Sequence, residues 1–292
     1  MKDLIIIGGG PGGYVAAIRA RQLGLTVTIA EKDRFGGTCL NRGCIPTKAY
    51  YRNALAMQNL RASADFNLQV GSISFDMPGA RKRKDRIVSG LVAGVEKLLQ
   101  ANGVEKVKGT ASLLDPNTVL VNGERLTARN LLLATGSLPA ELPIPGNDLP
   151  GVINSDQLLE IEQIPERLAI IGGGVIGLEF ASIFQALGSQ VTVIEYLPEL
   201  LNSLDAELGK RLRVFLKKQK ITVHTSTRVE KIELDETDNK TLIIKAQGKK
   251  DPLVVAADLV LVAAGRKPCT AGLNLDALGI AQEKGLDLVE VA

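Results

Sequence analysis

Tryptophan is absent from this 292-residue chain, histidine occurs once, cysteine three times, and aromatic residues make up only 3%. With one histidine and no clustered Cys and His ligands, no zinc or iron site is expected. Three cysteines in so long a chain do not form a disulfide framework. A close pair among them, Cys39 and Cys44, points to chemistry more than to stapling. No apolar run approaches the roughly 18 residues that span a bilayer. The N-terminus enters Leu4-Ile-Ile-Ile7 with no charged leader or cleavage site, so a cytoplasmic location is expected. The formal net charge of +3 is too weak a bias to argue for nucleic acid, an anionic membrane or an acidic substrate. The one dense basic stretch, Arg81 to Arg86, leads into Ile87, Leu91, Val95, Leu98 and Leu99. That spacing reads as the solvated start of an amphipathic helix ending at Asn102-Gly103.

What the chain does have is one unit written twice. Residues 4–31 (LIIIGGGPGGYVAAIRARQLGLTVTIAE) align without a gap with residues 168–195 (LAIIGGGVIGLEFASIFQALGSQVTVIE), 164 positions on. Each copy reads as an apolar strand, a glycine turn, a helix closing at Leu-Gly, and a Val-Thr strand ending in glutamate. Both turns fit G-x-G-x-x-G, at Gly8, Gly10 and Gly13 and at Gly172, Gly174 and Gly177. The first glycine permits a tight turn, the second lets the backbone approach a pyrophosphate, and the third lets helix and strand pack closely. The pyrophosphate then meets free N–H groups at the positive end of the helix dipole. Glu31 and Glu195 stand where a carboxylate accepts hydrogen bonds from ribose hydroxyls. One such motif is weak. Two, each with its strand, helix and acidic strand end, predict two dinucleotide sites. Glu195 is followed by Tyr196-Leu197-Pro198, with no cation to hold a 2′-phosphate, so the second site is expected to prefer NAD over NADP.

Each copy also closes alike. Strand-like pieces around 104–121 and 221–256, broken by turn residues, predict small antiparallel meanders. Apolar strands follow, ending at Thr135-Gly136 and at Gly265, and are expected to return to the parallel sheets. The Pro-rich stretch 139–150 is the best linker. The expected fold is α/β, with two tandem Rossmann-like domains, 1–147 and 148–266. Each is a parallel sheet with helices and a meander, and 267–292 begins a return segment.

Directly after Glu31 comes Phe35-Gly-Gly-Thr-Cys39-Leu-Asn-Arg-Gly-Cys44-Ile-Pro-Thr-Lys48. Five residues apart in a regular helix, the two cysteines lie beyond disulfide reach. A bridge therefore needs an irregular turn, which Gly43 can supply. A helix is expected from about Ile45 with Pro46 in its first turn, placing Cys44 where a helix dipole favours negative charge. Two buried thiols without redox work are the competing reading of the spacing alone. Cys269 has no partner in sequence and reads as incidental. His224 sits between Val223 and Thr225 in a strand-like stretch and reads as a packing residue.

The segment GGTCLNRGCIPTK resembles the redox-disulfide signature of the pyridine-nucleotide–disulfide oxidoreductases, and most of all their dihydrolipoamide dehydrogenase branch. ATGS at 134–137 and AAGRKP at 263–268 extend the resemblance across the chain. It implies an FAD-binding first domain and an NAD-binding second domain. It also implies a dithiol:NAD⁺ oxidoreductase in which dihydrolipoamide is oxidised through a Cys39–Cys44 disulfide and FAD. By the same resemblance Cys39 is the interchange thiol, Cys44 faces the flavin, Lys48 lies near the flavin and Glu179 pairs with it. The implied partner is a lipoyl domain of a 2-oxo-acid dehydrogenase or glycine cleavage complex, in a homodimer with no nucleic-acid or membrane partner. Relatives continue past the position of Ala292 into a dimerisation domain with a His–Glu acid/base pair. The alternatives are therefore a truncated nucleotide-binding remnant with at most diaphorase activity, or another disulfide reductase of the family.

Overall fold

The computed structural model of the chain describes residues 1–238, 240–248, 251–280, 282–283 and 286–289. In order, the elements are β1 (Lys2–Ile7), α1 (Pro11–Gln22), β2 (Val27–Glu31), α2 (Gly37–Arg42), α3 (Cys44–Arg61) and α4 (Met77–Ala101). Then come β3 (Glu105–Lys108), β4 (Ala111–Asp115), β5 (Thr118–Val121), β6 (Glu124–Leu133), β7 (Ser137–Pro139), β8 (Val152–Asn154) and α5 (Ser155–Leu158). The rest of the second half holds β9 (Arg167–Ile171), α6 (Val175–Leu187), β10 (Gln190–Ile194), α7 (Ala206–Lys218) and β11 (Thr222–His224). β12 (Arg228–Leu234), β13 (Leu242–Gln247), β14 (Pro252–Ala257) and β15 (Leu259–Val262) follow, and short strands at Arg266–Pro268, Gln282–Glu283 and Leu286–Val289 come after them.

Contacts divide the chain into two units: Met1–Ile45 with Arg86–Leu138 and Lys267–Ala292, and Pro46–Asp85 with Pro139–Arg266. The division sets residues 46–85 in the second unit, away from the sequence-expected boundary near 147.

The first unit holds a six-stranded sheet of order β3-β2-β1-β6-β5-β4. β6 serves two partners: Ala128–Leu133 runs parallel to β1 and Glu124–Thr127 runs antiparallel to β5. Alternation along β1 fills both faces, as a sheet covered on both sides requires. Ile5 and Ile7 face Leu113, Val119 and Val121 of the meander. Ile6 faces Ala17 and Ala20 of α1 and Val95 and Leu99 of α4.

The second unit repeats the plan with an all-parallel sheet of order β11-β10-β9-β15-β8 and a separate antiparallel sheet β12-β13-β14. Leu168 and Ile170 of β9 pack with Phe180 and Phe184 of α6, whereas Ala169 and Ile171 pack with Val229, Ile232, Leu242 and Ile244 of the meander. The two-unit Rossmann-like architecture is as the sequence predicted. The expected meander segments differ in one respect. β3 and β11, which open them, belong to the parallel sheets, because each follows a helix that returns it parallel to the preceding strand.

One expectation is corrected here. Lys84, in the basic stretch read as solvated, is only 2% exposed. Its ammonium donates to Leu159 O (3.0 Å) and Glu160 Oε1 (2.5 Å). Lys84 alone of the stretch turns inward, while Lys82, Arg83, Asp85 and Arg86 are exposed as expected; α4 starts at Met77, a full turn before the basic run.

Candidate nucleotide and redox sites

The two glycine turns have matching geometry, and each glycine does separate work. Gly8 and Gly172 adopt φ +109° and +117°, where a side chain is strained. A Cβ on either would also meet the end of a neighbouring strand, 2.2 Å from Ala134 O and 2.4 Å from Ala263 O respectively. A Cβ at Gly13 would lie 1.8 Å from Gly8 O, and one at Gly177 2.2 Å from Gly172 O. These are the close helix–strand approaches the third glycine allows. Gly174 has nothing within 4 Å of its missing side chain. Gly10 has only Gly37 Cα, at 3.5 Å. Gly174 therefore presents bare backbone to a ligand, whereas Gly10 is packed against the start of α2; each caps the N-terminus of its helix, α6 or α1.

The acidic strand ends are equally matched. Glu31 Oε2 accepts from Gly9 N (2.7 Å) and Oε1 from Asp33 N (2.8 Å). Glu195 Oε2 accepts from Gly173 N (2.5 Å) and Oε1 from Leu197 N (2.6 Å). Backbone donors hold both carboxylates in place, and each oxygen keeps further acceptor capacity for a ribose hydroxyl. The turn beside Glu195 opens a cleft of about 540 Å³ lined by Gly172–Gly174, Glu195, Ala263 and Gly265. Thr227, Arg228 and Asn202 also line it, and no motif pointed to them. A smaller cleft of about 90 Å³ beside Glu31 is lined by Gly8, Lys32, Thr135 and Cys269. Gly136 beside it adopts φ +69° and accepts from Cys269 N (2.9 Å). Cys269 Sγ lies 3.7 Å from Lys32 Nζ. It thus borders the cleft beside Glu31, which reading it in isolation missed, since Gly136 and Lys32 lie more than a hundred residues away.

The cysteine segment lies directly on the first cradle. Gly36 N donates to Gly9 O (2.8 Å). The Phe35 ring would lie 2.6 Å from a Cβ on Gly9, and a Cβ on Gly37 would fall 2.5 Å from Gly10 Cα. Only side-chain-free backbone lets α2, carrying Cys39, begin there. Asn41 secures this start by donating to Phe35 O (3.1 Å) and Gly37 O (3.0 Å). Sequence reasoning predicted an irregular turn but no helix over 37–42. The turn is Gly43, between α2 and α3. A Cβ there would sit 2.9 Å from Thr38 O and 3.2 Å from Cys39 Cα, so the tight turn after α2 needs a residue without a side chain. α3 then starts at Cys44 itself, one residue before the expected start. Cys39 is half-buried and Cys44 exposed, and both are thiols in this structure.

Lys48 lies one turn after Cys44 on α3. Its ammonium pairs with the Glu179 carboxylate of α6, 131 residues away. The two side chains are 54% and 37% exposed. Ion pairs so open to water contribute only about 0–1 kcal/mol, so stability does not explain their pairing. Beside them a cleft of about 560 Å³ runs past Tyr51, Val175 and Leu204. His224 lies apart from these groups, half-buried in β11. Among the described residues no group of three or more His, Cys, Asp or Glu is placed to hold a metal, and no helix is long and apolar enough to cross a membrane.

Comparison with known proteins accords with this geometry. The family model described as pyridine nucleotide-disulphide oxidoreductase matches residues 2–289. The chain belongs to that family. Within it, the chain is 43% identical to a dihydrolipoamide dehydrogenase of Chaetomium thermophilum, over 99% of this chain and 59% of that protein. It is 41% identical to a dihydrolipoyl dehydrogenase of Bacillus subtilis, over 95% of this chain and 61% of that protein. A solved family structure, the HOCl-induced flavoprotein disulfide reductase RclA from Escherichia coli, superposes with a TM-score of 0.83 at 29% identity. That match covers 99% of this chain and 62% of the other. The chain thus spans about three fifths of the length of these family members.

Proposed function

We propose that this chain carries the dinucleotide and dithiol machinery of a dihydrolipoamide:NAD⁺ oxidoreductase. The observation that supports this most is the seating of the cysteine turn on the first glycine cradle, through the Gly36–Gly9 hydrogen bond and the Gly37–Gly10 approach. In this reading the dithiol lies beside the first dinucleotide. The glycine turn ending at Gly10, the helix end it caps and the fixed Glu31 carboxylate suit FAD in the first site. Gly174, Gly265 and Glu195 suit NAD in the second. When bound, FAD supplies a two-electron relay between the dithiol and the nicotinamide.

The chain's own residues do the sulfur chemistry. Starting from the oxidised pair, a dihydrolipoamide thiolate attacks Cys39 Sγ, the Cys39–Cys44 bond breaks, and Cys44 leaves as thiolate. The second substrate thiol then attacks the substrate sulfur of the mixed disulfide and expels Cys39. Lipoamide is released oxidised, and the enzyme pair holds the two electrons. Lys48, one turn beyond Cys44, and its partner Glu179 place a compensated positive charge beside this helix start. A lipoyl domain of a 2-oxo-acid dehydrogenase or glycine cleavage complex is the substrate carrier in this reading, with a homodimer as the working form and the cytoplasm as its location.

The test is Cys44→Ser. The variant is expected to retain FAD while dihydrolipoamide no longer reduces it, and reduction at the parent rate would rule the role out. Adding dihydrolipoamide and NAD⁺ to the parent chain separates this reading from a remnant. NADH formation supports a dehydrogenase, whereas NADH oxidation by dyes alone indicates diaphorase activity only.

A further inference from the structure

We propose that Leu201 is a positioning residue that seats the nicotinamide end of the dinucleotide in the cleft beside Lys48 and Glu179. The proposal rests on reading the second glycine turn as a NAD site. Leu201 adopts φ +52°, a left-handed backbone that is strained for a bulky side chain. Its surroundings impose that conformation. Leu201 N donates to Gly173 O (3.1 Å), and Leu201 O accepts from Leu204 N (2.8 Å). Leu200 is 1% exposed and lies against Gly173, where a Cβ would meet Leu200 Cδ2 at 2.5 Å. α7 closes on the same residue, since a Cβ on Gly209 would lie 2.4 Å from Leu200 O. The chain at 200–201 is thus pinned to the glycine turn and to α7 together. Strain that is over-determined by its surroundings clusters at ligand sites.

The pinned backbone puts Leu201 on two walls. It is the one described residue that lines both the 540 Å³ cleft beside Glu195 and the 560 Å³ cleft beside Lys48. The two clefts also meet along the chain. Gly174 lines the first, and Val175, the next residue, lines the second, with Leu178 and Glu179 one turn further along α6. A dinucleotide with its pyrophosphate on Gly174 and one ribose at Glu195 therefore sends its other half past Val175 and Leu201. The second cleft has the chemistry for a flat ring with an amide. Val175, Leu178 and Leu201 give apolar walls, and the hydroxyls of Thr47 and Ser182 are available to a carboxamide.

The test compares two ligands that differ only in the ring: tetrahydro-NAD, a neutral-ring analogue that transfers no hydride, and ADP-ribose. Both are titrated by calorimetry into the full chain and its variants. The parent is expected to bind tetrahydro-NAD about tenfold more tightly than ADP-ribose. Leu201→Gly, which removes the shared wall, should lower that ratio by about fivefold or more, with ADP-ribose affinity held within about twofold. Leu201→Met, which restores an apolar wall, should return the ratio to the parent value. Thermal melts should stay close to the parent for Leu201→Gly, because relief of the left-handed strain offsets the lost packing. Equal affinity of the parent for both ligands, a parent-like ratio in Leu201→Gly, or equal weakening of both ligands would overturn the role of Leu201 while leaving the NAD reading in place. A parent that binds neither ligand would overturn that reading and this proposal with it.

Discussion

His224 is the only histidine in the chain, so its titration can be isolated from any other imidazole. Partial burial lowers its pKa below the ordinary 6.5, and the positive charge of Arg213 adds to the effect. Folding therefore favours the neutral ring. As pH falls through the unfolded-state value, the unfolded chain takes up a proton that the folded chain refuses. Stability contributed by the neutral ring is thus complete above that value and is lost between it and the lower folded value. His224→Gln is expected to flatten this part of the profile, below the ordinary imidazole value, as read by denaturant melts. An unchanged slope would mean that other groups control it. The glycines show how much of the site single residues announce. Gly8, Gly10, Gly13 and their three counterparts were legible because each steric demand falls at a fixed sequence offset. Arg228, Thr227 and Cys269 were not, because they reach the clefts through chain crossings that leave no local spacing.

At the scale of elements, the packing of α3 against α4 was the part the sequence reading missed. Two side chains there share one acceptor. Leu159 O accepts from Tyr50 Oη (2.8 Å) and from Lys84 Nζ (3.0 Å), bringing α3, the start of α4 and the residue after α5 together. Neither partner carries a sequence signal, since a backbone carbonyl looks the same in every residue. Burial, with the charges of Glu160 and Asp85, pushes the Tyr50 phenol above its ordinary pKa, so its hydroxyl remains a donor. Lys84 raises the question whether its charge or its bulk matters more. Its carboxylate partner Glu160 is 52% exposed and keeps its hydration when the lysine is removed. Leu159 O keeps Tyr50. Lys84→Met, which preserves volume, is therefore expected to change stability by less than about 1.5 kcal/mol. Lys84→Ala, which leaves a cavity, should cost about 2–4 kcal/mol. Equal losses in calorimetry would show that the buried charge, not packing, holds the two helices.

Across the whole molecule, one βαβ unit occurs twice, yet the copies are finished differently. In the first unit the strand-end glutamate leads into Phe35, Gly36 and Gly37, which lie across the cradle and bring the cysteines to it. In the second, Glu195 leads into Tyr196 and Leu197 at the wall of an open cleft. Since each carboxylate is anchored by its own turn, the two sites should respond separately. Glu31→Gln is expected to lower FAD content while leaving NADH binding intact. Glu195→Gln should weaken NADH binding by about tenfold, the value of one charge-assisted hydrogen bond, with FAD content unchanged. Removing that carboxylate also removes its repulsion of a 2′-phosphate, so the NADH-to-NADPH affinity ratio should fall. Titration of both nucleotides against the parent and the two variants checks all three outcomes. Tighter binding of NADPH than NADH by the parent chain would show that Arg228, which lines the same cleft, outweighs Glu195 in setting the choice.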